Sequence, residues 1–162
     1  MANSFNHIGI GVGDIKRAVG FYEAAFGCRL LSQVFDVTAD GPDGDEAVDV
    51  LSSRPFRSMR MANLVTIDGI GFELFQLIDP PHERREPALE YWKSGTFHFC
   101  LTAPDFDATL KRILDLGGKQ ISQIWQRDPR DPSKRMVYCS DPWGTVIEIY
   151  THSFADTYEN RG

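Results

Sequence analysis

No stretch of the 162 residues approaches the roughly 18 consecutive apolar residues of a membrane-spanning helix. Positive charge is also short, with 17 Lys and Arg against 23 Asp and Glu for a net charge of −6. A chain this acidic has no basic stripe to neutralise phosphates, which argues against nucleic acid as a partner. Cysteine is scarce and odd in number. Cys28, Cys100 and Cys139 form no C-x-x-C pair, which excludes a disulfide frame or a zinc cluster of the usual kind. They read as buried thiols of a reducing compartment. Met1 to Asn6 shows no charged segment followed by an apolar one, so no secretory leader is expected. The expectation is a cytoplasmic protein with neither membrane nor nucleic acid as partner.

What is present suggests a domain with an ordinary core, since 42% of residues are hydrophobic and 25% charged. Phe5 to Val12 alternates as a strand, with Ile8, Ile10 and Val12 on one face and His7, Gly9 and Gly11 on the other. Asp14 is placed to cap a helix through Ile15, Ala18, Val19, Tyr22 and Phe26, ended by Gly27. Arg29 to Val37 reads as a strand, and the polar stretch Ala39 to Asp49 as an extended loop of the lid or binding type. Arg60 to Ile67 and Gly71 to Leu77 follow as strands around an Asp68-Gly69 turn, with Glu73, Phe75 and Leu77 sharing a face.

The proline-containing stretch 79–95 reads as a connector. Beyond it the order repeats. Thr96 to Thr102 is a strand with His98 and Cys100 on one face, and Asp105 opens a helix carrying Phe106, Leu110, Ile113 and Leu114 up to Gly117-Gly118. A strand near Gln120 to Trp125 and a charged loop from Arg127 to Arg135 come next. A final hairpin then turns at Asp141-Pro142-Trp143-Gly144 and carries Glu148 between Ile147 and Ile149. The fold class expected is α+β: two tandem βαβββ modules, 5–78 and 96–151, with a tail at 152–162. Together they would build a curved, mostly antiparallel sheet around a metal-binding cavity. Histidine to glutamate spans 66 residues in the first module and 50 in the second, which fits extra loop in the first.

Each module thus offers one histidine on its first strand and one glutamate on its last: His7 and Glu73, then His98 and Glu148. Either pair alone would carry little weight, because strand histidines are commonly core residues and strand glutamates commonly face water. Repetition at equivalent places carries more. Two imidazoles and two carboxylates suit an octahedral divalent ion with two positions open: nickel, cobalt, zinc, manganese or iron. Such an ion would also hold two carboxylates together that otherwise repel. His82 and His152 read as surface residues.

Phe5-Asn6-His7-Ile8-Gly9-Ile10, Phe21-Tyr22-Glu23-Ala24-Ala25-Phe26-Gly27, Phe72-Glu73-Leu74, Phe97-His98-Phe99 and Asp141-Pro142-Trp143-Gly144-Thr145-Val146-Ile147-Glu148 resemble the vicinal-oxygen-chelate superfamily. That superfamily includes glyoxalase I, methylmalonyl-CoA epimerase, extradiol dioxygenases and the fosfomycin and bleomycin resistance proteins, and the resemblance spans Phe5 to Thr151. The ligand order His, Glu, His, Glu is similar to that of bacterial glyoxalase I. The resemblance implies a metal-dependent isomerase, epimerase or lyase that moves a proton next to a carbonyl of a small molecule chelated through vicinal oxygens. Glu148 would be the first choice of base and Glu73 the second, and the cations at 127, 130, 134 and 135 could meet an anionic substrate. A homodimer is implied, with modules paired within or between chains. Glutathione-dependent members commonly carry arginine where this chain has Gly11, which counts against glutathione. Two alternatives stay open: a non-haem iron dioxygenase using His7, His98 and Glu148, and a non-catalytic binding or resistance protein.

Overall fold

A computed structural model describes residues 2–84 and 90–159. The chain divides into two compact units, Met1–Arg84 and Arg85–Gly162, each with its own five-stranded sheet. Of the expected connector 79–95, residues 85–89 lie outside the described residues, as do 160–162 of the expected tail.

The first unit runs β1 (His7–Gly11), α1 (Ile15–Phe26), β2 (Arg29–Leu30), β3 (Phe35–Thr38), α2 (Gly44–Val50), β4 (Ser58–Val65) and β5 (Gly71–Asp79). Its sheet order is β1-β5-β4-β2, with β3 also on β4. β1 and β5 are parallel, and the remaining pairs antiparallel. The second unit repeats this with β6 (Phe99–Thr102), α3 (Phe106–Asp115), β7 (Lys119–Gln120), β8 (Trp125–Asp128), β9 (Asp131–Ser140) and β10 (Val146–Tyr150), then adds α4 (Phe154–Tyr158). Here the order is β6-β10-β9-β7, with β8 on β9. The two are the same βαβββ plan, and the fold class is α+β.

Helix α1 forms where the spacing places it. The Asp14 carboxylate accepts the Arg17 N–H at 3.0 Å, and Gly27 ends the helix at φ 69°, a left-handed position that glycine adopts without strain. Its Ile15, Ala18, Val19 and Tyr22 are buried. The helix start is also tied to the sheet. The Gln76 side chain accepts the Ile15 N–H at 3.0 Å and donates to the Gly13 carbonyl at 3.1 Å. Helix α3 differs from expectation in two respects. Asp105 stands at its N-cap without a capping side-chain hydrogen bond, and Leu114 is exposed while Phe106, Thr109, Leu110 and Ile113 are buried. Position 114 lies about 100° round the helix from 113, off the buried stripe.

Several loops are structured where no regular element was expected. Part of Ala39 to Asp49 belongs to α2, whose first turn carries Asp45 and Glu46, favourable charges near a helix N-terminus. Ala47 buries against Val37, Phe56 and Met59. Residues 39–57 join β3 to β4, whereas only 129 and 130 join β8 to β9; this insertion is the source of the longer spacing in the first module. The expected strand over 29–37 and its counterpart over 120–125 are each broken in two, as β2–β3 and β7–β8. The charged stretch 127–135 is a hairpin rather than a loop. Cys28 and Cys139 are buried thiols as expected, but Cys100 is exposed.

Candidate metal and substrate site

In the first unit, β1 and β5 lie in parallel register with His7 beside Gly71 and Gly9 beside Glu73. Directly paired residues share a sheet face, so His7 and Glu73 are near neighbours on the face away from Ile10, Phe72 and Leu74. His7 Nε2 stands 3.4 Å from Glu73 Oε2, and its Nδ1 is 2.7 Å from Asn6 Oδ1. An Nδ1–H given to Asn6 turns Nε2 toward the carboxylate as the free ring nitrogen, the arrangement usual for metal-bound histidine. Phe75 lies over this face, its ring 3.3 Å from where a Cβ on Gly9 would stand.

The second unit repeats the arrangement. Glu148 pairs with Cys100 of β6, and His98, one residue before β6, brings Nε2 to 3.2 Å from Glu148 Oε2. The isoleucines flanking Glu148 are fully buried on the opposite face. Glu148 itself is only 6% exposed, so two faces of one strand are covered. His98 stacks edge-on to Tyr138, ring centres 5.4 Å apart, and its Nδ1 is buried with no hydrogen-bond partner among the described residues.

The cross-strand neighbours of the two carboxylates were not expected as part of the site. Asn63 faces Glu73, and Tyr138 faces Glu148. Both lie ten residues upstream of their glutamate, because the two hairpins have equal length. That equal offset was the signal in the sequence. Burial and, next, the Glu148 carboxylate push the Tyr138 hydroxyl up to about 12. Close packing around the Cys100 sulfur, followed by Glu148, pushes that thiol up to about 12 as well. Both groups therefore stay protonated and able to donate. Asn63 Oδ1 is buried without a hydrogen-bond partner among the described residues.

The donor set fits a divalent ion. Ligands about 2.1 Å from an octahedral centre stand about 3 Å apart when adjacent, and each Nε2–Oε2 separation is close to that edge. Each unit supplies one such edge. Among the described residues, no three of His, Cys, Asp and Glu stand together as a ready metal cluster. The cations expected near a substrate mouth have partners inside the protein: Arg127 donates to Tyr158 at 3.2 Å, Arg130 to Asp128, Lys134 to the Asp156 carbonyl and Arg135 to Asp107.

The sequence matches the family model described as the glyoxalase/bleomycin resistance protein/dioxygenase superfamily over residues 4–149. The chain belongs to that superfamily. Solved structures agree on the fold. A glyoxalase family protein from Bacillus cereus superposes with TM-score 0.74 at 21% identity, covering 93% of this chain and 94% of that one. A variant of the fosfomycin resistance protein FosX from Listeria monocytogenes, solved with Mn(II) and 1S,2S-dihydroxypropylphosphonic acid, gives 0.62 at 12% identity, with both chains fully covered. A glyoxalase I variant from Zea mays gives 0.61 at 20% identity, covering 92% of this chain and 45% of that longer one. No curated protein matches the sequence. No helix among the described residues is long and apolar enough to cross a membrane.

Proposed function

We propose that the protein is a divalent-metal-dependent isomerase, epimerase or lyase of the glyoxalase type, acting on a small cytoplasmic molecule with vicinal oxygens. The observation that carries this is the His–Glu pair repeated at the same sheet position in both modules, with nitrogen and oxygen at 3.4 and 3.2 Å. His7, Glu73, His98 and Glu148 would hold the ion, one pair coming from each module, and the protein would work as a homodimer. When bound, the ion supplies Lewis acidity at the substrate oxygens, which stabilises the negative charge left there when a neighbouring proton departs.

The remaining chemistry falls to the chain. The two imidazoles would ligate through Nε2, with His7 oriented through Asn6. One carboxylate takes the proton from the carbon beside the carbonyl and returns it to that carbon or the next.

Elemental analysis of the purified protein, run beside a panel of thiohemiacetals, acyl-CoAs and catechols, tests this reading. The expected result is on the order of one divalent ion per chain, lost by more than about tenfold in His98→Ala, with turnover of a panel member that needs no oxygen. Turnover that requires iron(II) and oxygen would move the assignment to a dioxygenase using His7, His98 and Glu148. Protein without stoichiometric metal, unchanged by His98→Ala, would make it a binding protein instead.

A further inference from the structure

The two modules share a plan, but one corner of the sheet face that carries each His–Glu pair differs between them. On β5, Phe75 follows Glu73 by two residues, so both point to the same face. Its register neighbours are Gly11 on β1 and Met61 on β4, with Phe35 of β3 beyond Met61. The second unit has Tyr150, Thr102, Met136 and Trp125 in the corresponding places. There Met136 and Tyr150 are buried, and the Tyr150 hydroxyl lies 2.9 Å from that of Tyr158 in α4. In the first unit Phe35, Met61 and Phe75 are all half-buried. A Cβ on Gly11 would meet nothing within 4 Å among the described residues.

Insertion 39–57 fixes this corner from behind. Ala47 of α2 buries with Val37, Phe56 and Met59, and Phe35, Met61 and Phe75 pack at the edge of that cluster. The Phe75 ring leans over Gly9, the residue paired with Glu73, 3.3 Å from where a Cβ there would stand. Apolar surface therefore runs up to the His7–Glu73 pair. The side chains that make the corner are uncharged. The ion pair of these strands, Arg60 with Asp36, occupies the alternate positions and so the opposite face. An apolar group laid on such a surface gains roughly 25 cal/mol for each Å² it covers. An anionic group there would lose hydration against apolar side chains and stand near the Glu73 carboxylate.

We propose that the substrate carries an uncharged apolar group beside its two chelating oxygens, and that this group lies over Gly11 against Phe75 and Met61. This rests on the metal-chelate reading above and adds a substrate class to it. Gly11 is the specificity-determining position, because its missing side chain leaves the space that the group takes. Thr102 puts a side chain at the equivalent place of the second module, so the two ends of a chelated molecule meet different surroundings.

Hydroxamates chelate zinc through two neighbouring oxygens and need no turnover to be read. Calorimetric titration of the zinc-loaded full chain with acetohydroxamate, 4-methylpentanohydroxamate and succinic monohydroxamate tests the proposal, each Kd being referred to the same compound on aqueous zinc. The last two have the same shape and differ in charge. The 4-methylpentano compound is expected to bind at least about tenfold tighter than acetohydroxamate, and the succinic one no tighter than acetohydroxamate. Gly11→Leu fills the space and Phe75→Ala removes its wall, so each should cut that preference to about threefold or less. Ile67→Ser, at the exposed turn between β4 and β5, should keep it. Equal binding of the 4-methylpentano compound and acetohydroxamate, equal binding of the 4-methylpentano and succinic compounds, or a preference that survives both Gly11→Leu and Phe75→Ala overturns the proposal and leaves the chelate reading standing. Wild-type protein that holds no zinc, or that holds it and binds none of the three, overturns both.

Discussion

Cys28 and Cys139 show how a single side chain couples to the core around it. They are 5% and 0% exposed. Burial is the first cause that raises both thiols from 9.0, Cys28 to about 11 with Glu23 adding next, and Cys139 to about 12. A thiol whose folded pKa lies above its unfolded one keeps its proton in the folded state after the unfolded chain has lost it. Its stabilising contribution is complete below pH 9.0 and is lost as the pH rises towards the folded values. The ceiling is about 3 kcal/mol for Cys28 and about 4 kcal/mol for Cys139. Denaturant unfolding at pH 8, 9 and 10 should show wild-type stability falling across that range, and Cys28→Ala/Cys139→Ala falling less. Parallel curves for the two proteins would refute the coupling.

At the scale of the element, the approach of helix α3 to strand β9 is decided at Gly118. A Cβ there would meet the Ser140 carbonyl oxygen at 2.5 Å and an Ile113 methyl at 2.7 Å. Backbone cannot yield as a flexible side chain can. Gly118→Ala is expected to cost about 1–3 kcal/mol in thermal or denaturant unfolding. Gly11→Ala makes the contrast, since nothing lies within 4 Å of that Cβ, and should stay within about 0.5 kcal/mol. Equal losses in the two variants would show that the close approach is not what matters. Elements with a strong local rule were legible in the sequence: α1 from Asp14, its apolar spacing and Gly27, and the last hairpin from its turn residues. The four candidate ligands were legible because the chain repeats itself. Helix α2 was missed because Gly41, Pro42 and Gly44 read as turn chemistry, while burial of Ala47 in the Val37, Phe56 and Met59 cluster is a tertiary effect. Asn63 and Tyr138 were missed as site residues because they acquire their role only across a strand pair.

For the whole molecule, the duplication gives each unit one His–Glu pair, half of the proposed ligand set. If the proposed ion draws one pair from each module, two defective chains can complement each other. His7→Ala removes a ligand from the first module and His98→Ala one from the second. Neither variant alone should hold metal. Where modules pair between chains, dimers re-formed from an equal mixture should recover about a quarter of the wild-type metal, because half of the dimers are mixed and each mixed dimer carries one intact and one doubly damaged site. In a monomer or a dimer with sites inside each chain, mixing recovers none. Gel filtration with elemental analysis of the dimer fraction separates these cases.

Gln76 gives the first unit a form of error-checking. The side chain that secures the start of α1 sits three residues along β5 from Glu73 and points to the opposite face. A slip of β5 by one residue would exchange its two faces. The glutamate would leave its histidine, and in the same movement the helix would lose its anchor and the core would lose Phe72 and Leu74. A chain that misplaces Glu73 would thus also lose core burial. The register of the His7–Glu73 pair is therefore tied to the same packing that holds the first unit together.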